Sequence, residues 1–316
     1  MFVLKKDHAQ AHINGDIHIH DLDFLTLTTT CCQIDLIKLF HDGFSTGEGH
    51  LREPQSIGSY AALAAIAIQS NQNDQHGGQS IPNFEYAMAQ GIRKSYQKLY
   101  AKNLQKAIEL LPDVENADEV KNMVIAKINE EEDLVPALES ALNMLKDVKY
   151  SKEVANDIIL KIKSENKIIP SLKRTIELLS SLESSEEIAK EIMEKIKNEK
   201  GVVPTLENTS GYMEYERVEL RRRFGDTRAK KIQNFAKKYA DIEIDRETYQ
   251  AMEGFIQNLN TMHSRAGAQV PFSSINYGLD TTPEGRLAIK NVLLATDAGL
   301  GRGETPIFPV QILKVK

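Results

Sequence analysis

The sequence predicts an α/β protein that is interrupted by an all-α segment, and three features of the 316-residue chain support this. Near the amino terminus, residues 17–20 alternate apolar and polar side chains, which is the period of a β-strand. Near the carboxyl terminus, a predicted strand over 270–277, a helix over 284–298 and a strand over 305–315 imply a right-handed parallel crossover. Between these ends, residues 105–206 repeat with a helical pattern every 34 residues.

The composition is that of a soluble globular protein in a reducing compartment. The chain is 41% hydrophobic and 27% charged, and its length allows two domains. A formal net charge of −6 argues against a nucleic-acid-binding protein, which would carry a basic surface. The sequence has no apolar run long enough to cross a bilayer, its start lacks a signal-peptide pattern, and its two adjacent cysteines are not a disulfide framework. We therefore expect a cytoplasmic protein with no membrane and no nucleic-acid partner.

Reactive side chains concentrate between His12 and Leu39, a stretch that holds both cysteines and three of the eight histidines. In the first predicted strand, His18 and His20 point the same way because alternate residues of a strand share a face. The Thr-rich run that follows predicts a second strand or strand end. Since neighbours in a strand face opposite sides, only one of Cys31 and Cys32 can share a pocket with the histidines. Imidazoles, carboxylates and a thiol so close together indicate a functional site.

The histidines and thiols each allow more than one interpretation. His18 and His20, together with Asp21 and Asp23, are residue types that bind zinc or another divalent ion. One strand supplies only two histidines on one face, however, so structural histidines are favoured over a metal site. The cysteines are either buried small hydrophobes or functional thiols. An ordinary thiol has a pKa near ~8.5 and is mostly protonated at neutral pH, so it can donate a proton.

Local signals place further elements along the chain. The predicted helices are a tail within 1–11, a helix over 33–40, a buried Ala-rich helix over 56–70, an amphipathic helix over 84–105, a charged stretch over 212–239 broken at Gly225-Asp226, and a helix over 245–268 capped by Asp245. The glycines at 43–49 are interpreted as a loop rather than a phosphate site, because the run lacks the Lys-Ser/Thr of a P-loop. Those at 299–303 follow a helix and not a strand, so they are a helix stop and loop. From composition alone, the amide-rich run 71–80 is a solvated loop.

The 34-residue period divides the middle of the chain into three gapless segments, 105–138, 139–172 and 173–206. Each segment ends in a Val/Ile-Pro-x-Leu tetrapeptide, and proline shortly after a helix interrupts it. This pattern predicts an array of three stacked α-helical hairpins. The period equals that of tetratricopeptide repeats, but their residue signature is absent, so we expect an array whose role as a spacer or a protein-contact surface stays open.

Two long stretches carry a resemblance to a known family. The first, from Gly15 to Gly91, begins GDIHIHDLDFL and includes TTTCCQIDLIKLF and NQNDQHGGQSIPNFEYAMAQG; the second, from Ala251 to Lys316, includes VPFSSINYGLD and GRGETPIFPV. The chain resembles the anaerobic (class III) ribonucleoside-triphosphate reductases, which are glycyl-radical enzymes. The resemblance implies that residues 1–104 and 207–316 form the first half of a ten-stranded α/β barrel, with the helical array of 105–206 inserted.

The resemblance also implies roles for particular residues. Cys31 would lie on the 2′ side of the substrate ribose and help the 2′-hydroxyl leave as water, while Cys32 would face into packing. The helix over 84–105 would serve the dimer interface and the effector site, where Lys98 is either a contact to an effector phosphate or an ordinary solvated lysine. This chain is expected to supply no metal ligand. The expected substrate-binding residues are His18, His20, Thr30, Asn73, Gln75 and His76.

In similar enzymes the thiyl cysteine, the radical-bearing glycine and the zinc-binding cysteines lie beyond the position of Lys316, and a further region precedes the start. The chain is therefore expected to be a fragment that is inactive by itself. The complete enzyme would be a homodimer that reduces ribonucleoside triphosphates with formate or a thiol system, under allosteric control by ATP or deoxynucleotides. A radical S-adenosylmethionine activating enzyme would install the glycyl radical, and structural zinc would lie outside this chain. Two alternatives are a helical-repeat interaction protein on a reductase-derived scaffold and, less favoured, a His-based metal enzyme.

Overall fold

The computed structural model describes residues 4–19, 22, 29–110, 122, 124–126, 143, 145, 151–164, 182–263 and 267–315. The chain divides into two compact units, Met1–Ile92 with Arg246–Lys316, and Arg93–Asp245. The second unit is wider than the predicted array of 105–206, because it also takes in the helical residues on either side of that segment. The prediction that residues 105–206 are inserted into a barrel formed by residues 1–104 and 207–316 stays a prediction.

The helices and strands have the following bounds. The helices are α1 Lys6–Asn14, α2 Leu36–Phe40, α3 Ile57–Asp74, α4 Phe84–Leu110, α5 Ser151–Ser164, α6 Ser185–Lys200, α7 Thr209–Phe224, α8 Asp226–Thr261 and α9 Pro283–Ala298. The strands are β1 Cys32–Gln33, β2 Phe44–Ser45, β3 His50–Leu51, β4 Gln79–Ile81, β5 Ser273–Tyr277 and β6 Val310–Leu313. Within the described ranges, no helix is both long and apolar enough to cross a membrane.

A parallel sheet with the strand order β1-β4-β5-β6 organises the first unit. The predicted strand–helix–strand near the carboxyl terminus is confirmed as β5, α9 and β6, with β5 and β6 paired in parallel. Thr282 caps α9 by accepting a hydrogen bond from the Gly285 N–H, and Pro283 occupies the first turn, where its missing N–H does no harm. An α/β architecture with a parallel sheet is thus confirmed, whereas the ten-stranded barrel stays a prediction.

The sheet has one covered face and one more open face. Along β5, the side chains of Ser273, Ile275 and Tyr277 are buried, whereas Ser274 and Asn276 are only half-buried. Because successive side chains of a strand point to opposite sides, the two sets lie on different faces of the sheet. The covered face packs against helices, and the open face presents hydroxyl and amide groups.

Helix α3 packs against part of the sheet and has a capped amino-terminal end. It begins with a capping box in which the side chains of Ser56 and Ser59 each bond the other's backbone N–H. Gly91 allows α4 to approach α3 closely, since a Cβ at this position would lie 2.9 Å from the Tyr60 ring. In the same unit, the rings of Phe84 and Phe255 pack with their centroids 5.2 Å apart.

The strand predicted over 17–20 is wrong for residues 17–19. Helix α1 ends at Gly15, which has a φ of +83°, and the N–H groups of Asp16 and Ile17 both bond back to the Ala11 carbonyl. These backbone N–H groups therefore bond a carbonyl at the end of α1 instead of pairing with a strand. His20 and residues 23–28 lie outside the described residues, and of the second strand predicted over 25–32 the described part has an isolated bridge at Thr29 and the first residue of β1, Cys32.

The amide-rich run 71–80 is not a solvated loop. Helix α3 continues to Asp74, and the side chains of Gln72, Gln75 and Gln79 are each less than 5% exposed. The Gln72 amide donates to the Val270 carbonyl, far away along the chain, at 3.3 Å, and the Gln79 amide donates to the Ile68 carbonyl of α3 at 2.9 Å. Composition could not predict this burial, because the partners come from the tertiary structure.

The predicted helix break at Gly225 is confirmed, but the predicted helix start at Asp245 is wrong. Gly225 has a φ of +78° between α7 and α8, a conformation that favours glycine. Helix α8 then runs without interruption from Asp226 to Thr261. Asp245 is of a residue type that often caps a helix, but here it lies inside α8, whose backbone hydrogen bonds continue through it.

The helix predicted over 33–40 begins only at Leu36, because Gln33 pairs in β1, whereas several other local elements agree with the sequence pattern. The glycines at 43–49 belong to the β2–β3 hairpin, where a Cβ at Gly43 would overlap the Leu51 carbonyl oxygen. In the second unit, α5 and α6 begin 34 residues apart, at Ser151 and Ser185. Most other residues of the predicted array lie outside the described ranges, so the three-hairpin array stays a prediction.

Candidate functional site

The two adjacent cysteines have different surroundings. The Sγ of Cys32, in β1, accepts a hydrogen bond from the Asn71 amide at 3.0 Å. The same amide donates to the Gln79 Oε1 at 2.9 Å, and Gln79 in turn donates to the Ile68 carbonyl of α3 at 2.9 Å. Burial is the main cause that raises the pKa of the Cys32 thiol. Cys32 is therefore tied to the helix-covered side of the sheet and kept protonated.

Cys31 immediately precedes β1 and is exposed. It opens onto a cleft of about 400 Å³ on the open face of the sheet. The cleft runs across neighbouring parallel strands and is lined by Cys31, Cys32 and Gln33, by Gly78, Gln79 and Ser80, and by Phe272 and Ser274.

The lining of this cleft determines what it can bind. The Ser80 hydroxyl lies 3.5 Å from the Asn276 Oδ1, so these strands carry a row of neutral polar groups. No Lys, Arg, Asp or Glu is among the lining residues. A neutral polar surface with a thiol at one end suits a hydroxyl-bearing ligand better than a phosphate, which requires cationic groups or a helix amino terminus.

Several residues predicted to bind substrate lie along the segment beside Cys31. Thr30 is half-buried next to it, and Gln75 is buried, with its Nε2 donating to the Gly77 carbonyl at 3.2 Å. The Oε1 of Gln75 is buried without a hydrogen-bond partner in the described structure. His76 is half-buried, and its N–H donates to the Thr29 carbonyl at 2.8 Å. Their contact with a substrate stays a prediction.

Other predicted residues lie elsewhere. The ring of His18 lies 5.8 Å from that of His12, beside the carboxyl-terminal end of α1. Asn73 is exposed on the last turn of α3, and Lys98 is exposed on α4 in the second unit. His20 lies outside the described residues, so the shared pocket of two histidines and Cys31 stays a prediction. Among the residues that the structure does describe, no group of three His, Cys, Asp or Glu side chains could hold a metal ion.

Sequence reasoning missed Gly77, Ser80 and Ser274 as residues of this site. The signal for Ser274 was the alternation within β5, which places it on one face with Asn276. The signal for Gly77 was the Gly-Gly pair before β4, since glycine in a strand pattern marks a bulge or a close backbone approach. Neither signal shows which face of the sheet is open.

Residues 1–316 match the family model described as anaerobic ribonucleoside-triphosphate reductase. The protein of that name from Escherichia coli is 34% identical over 98 residues, which are 30% of this chain and 14% of the relative. The one from Haemophilus influenzae is 32% identical over 116 residues, 36% of this chain and 16% of the relative. The one from Enterobacteria phage T4 is 31% identical over 91 residues, 28% of this chain and 15% of the relative.

Proposed function

The chain belongs to the anaerobic ribonucleoside-triphosphate reductase family, and from this premise we propose that it supplies one wall of a site where ribonucleoside triphosphates are reduced. In each alignment the chain spans between 14% and 16% of the length of these relatives. The proposal therefore concerns a wall of the site, and the remaining catalytic groups are proposed to come from outside these 316 residues. The observation that carries the proposal is the Cys31 thiol at a cleft on the open face of a parallel sheet.

Cys31 is the group that we propose to act on the substrate. A thiyl radical on another cysteine, outside this chain, removes the hydrogen from the ribose 3′ carbon. The Cys31 S–H then donates a proton to the 2′-hydroxyl, which leaves as water. Formate or a thiol system supplies the two electrons that complete the reduction, and the hydrogen removed at the start returns to the 3′ carbon, which restores the thiyl radical. The neutral polar lining around Cys31 supports placing the ribose, rather than the triphosphate, against this part of the sheet.

The remaining predictions form part of the same proposal. We propose that the parallel sheet is part of a ten-stranded barrel with its open face inward, and that Thr30, Gln75 and His76 contribute to the nucleotide pocket. The effector role of Lys98, the homodimer, allosteric ATP or deoxynucleotides, the radical S-adenosylmethionine activating enzyme, the glycyl radical and the structural zinc are proposals for the complete enzyme. The cytoplasm is the proposed compartment.

A substitution in the complete enzyme tests the role of Cys31. Cys31→Ala should lower the rate of deoxynucleotide formation by about 10²-fold or more, because a positioned proton donor contributes about that factor. The substrate dissociation constant should change little, since a small neutral group is lost. The rate is measured under anaerobic conditions with the activated enzyme, and binding is measured separately with a labelled ribonucleotide.

Cys32→Ala is the matched control. The Cys32 side chain bonds Asn71 on the other side of β1, so its loss should affect stability more than the rate. A Cys31→Ala enzyme that retains full activity, or a Cys32→Ala enzyme that folds and is inactive, would contradict the assignment.

A further inference from the structure

The strand pairing beside Cys31 contains an extra residue. Thr29 pairs with Gln75, which is 46 residues later, whereas Cys32 pairs with Gln79, which is 47 residues later. The segment between Gln75 and Gln79 therefore has one residue more than the segment between Thr29 and Cys32. Two strands that pair on both sides of such a mismatch form a β-bulge, which turns a side chain in a new direction. The bulge lies opposite Thr30 and Cys31.

Gly77 is the residue in this bulge at which a side chain would meet Cys31. Its φ of +110° lies in the region that favours glycine. A Cβ at this position would overlap the Thr30 carbonyl oxygen and would lie 3.1 Å from the Cys31 Sγ. The backbone of Gly77 therefore occupies the space directly against the thiol, and a larger residue would have to displace the Thr30–Cys31 peptide.

Hydrogen bonds hold the bulge in place on both sides of Gly77. The His76 N–H donates to the Thr29 carbonyl at 2.8 Å, and the Cys32 N–H donates to the Gly78 carbonyl at 3.2 Å. The carbonyl of Gly77 itself accepts from the buried Gln75 amide at 3.2 Å. The glycine can thus move little without breaking pairing to β1.

Cys32 fixes the other side of the same strand through its bond from Asn71. Cys31 is then confined between an anchored neighbour and the Gly77 backbone. We propose that Gly77 is a positioning residue that directs the Cys31 thiol into the cleft. Its position does not depend on the proposed function of Cys31, but its importance for catalysis rests on that function.

Thiol alkylation of this chain tests the proposal without requiring reductase activity. In a Cys32→Ser background, Cys31 is the remaining cysteine, and its modification by iodoacetamide is followed by mass spectrometry. Gly77→Ala places a methyl group against the sulfur and displaces the peptide, so the alkylation rate should fall by roughly threefold or more. An unchanged rate in the folded variant would overturn the proposal.

Gly47→Ala is the matched control. Gly47 also has a positive φ, of +95°, but a Cβ there would have no atom within 4 Å. It carries the same type of backbone strain without the contact, so the alkylation rate of Cys31 should remain that of the parent. A similar change in both variants would show that backbone strain, rather than the contact with the thiol, is the cause and would overturn the proposal.

If Gly77→Ala does not fold, Gln75→Met provides an alternative test of the proposal. The variant keeps the length of the buried side chain and removes its bond to the Gly77 carbonyl, so the alkylation rate should change by roughly twofold. An unchanged rate would count against the proposal. Failure of the proposed function appears instead as full activity of Cys31→Ala in the complete enzyme, so the two outcomes are distinguishable.

Discussion

Glu216 makes the stability of the second unit depend on pH. Its carboxyl group is completely buried, and the Oε2 accepts hydrogen bonds from the Tyr100 hydroxyl at 2.8 Å and the Gln233 amide at 2.9 Å. Burial raises the pKa of Glu216 from its usual 4.5 to about 7, and the hydrogen bonds that it accepts from Gln233 and Tyr100 offset only part of that rise. The folded protein therefore holds a proton that the unfolded chain releases.

The sign and size of the effect follow from proton linkage. Between pH 4.5 and about 7 the folded state binds more protons at this group than the unfolded state, so the free energy of unfolding falls as the pH rises through that window. Below pH 4.5 the contribution of Glu216 to the free energy of unfolding is fully present, and above about pH 7 this contribution is lost. The difference between the two pKa values, at about 1.36 kcal/mol for each pH unit, corresponds to about 3 kcal/mol.

Glu216→Gln should remove this dependence. Glutamine is neutral at every pH in the range and can accept the same two hydrogen bonds at the oxygen that Glu216 uses. We expect the contribution of this position to become flat between pH 4.5 and 8, with the variant more stable than the parent above pH 7 by up to about 3 kcal/mol.

Urea denaturation at a series of pH values provides the measurement. Because the chain has no tryptophan, near-ultraviolet circular dichroism of tyrosine reports on the second unit, whose core includes Tyr96, Tyr100 and Tyr212. Glu214→Gln, at an exposed position of the same helix, is the matched control and should leave the pH dependence of the parent unchanged. A Glu216→Gln profile parallel to that of the parent would refute the reasoning.

Two further predictions concern the first unit. Gly91→Ala should lower the free energy of unfolding by about 1–3 kcal/mol, because its methyl group would lie 2.9 Å from the Tyr60 ring. Gly254→Ala, also within a helix but with no atom within 4 Å of the new Cβ, should instead stabilise by up to about 1 kcal/mol, and thermal unfolding of both variants decides whether the contact or the helix propensity dominates. Glu85→Gln should destabilise by about 1–2 kcal/mol, because the Glu85 Oε1 accepts hydrogen bonds from three backbone N–H groups in the turn after β5 and charge strengthens such bonds. The exposed Glu48→Gln is its control, and equal melting temperatures for the two would argue against a role for the charge.

The sequence alone determined those features whose cause lies within a few residues. Thr282 and Pro283 begin α9, and Gly225 separates α7 from α8. Helix capping and a positive φ are local properties of the chain, so the sequence indicates both features. The motifs between Gly15 and Gly91 and between Ala251 and Lys316 were sufficient to indicate the family.

Only the tertiary structure decided the features that depend on distant partners. The alternation at 17–20 predicts a strand, but the residues after Gly15 close the end of α1 instead. The amides of Gln72 and Gln79 are buried because the Val270 and Ile68 carbonyls accept their hydrogen bonds. The bulge beside Cys31 exists because two strands separated by more than forty residues pair with one residue in excess, and no local pattern specifies that register.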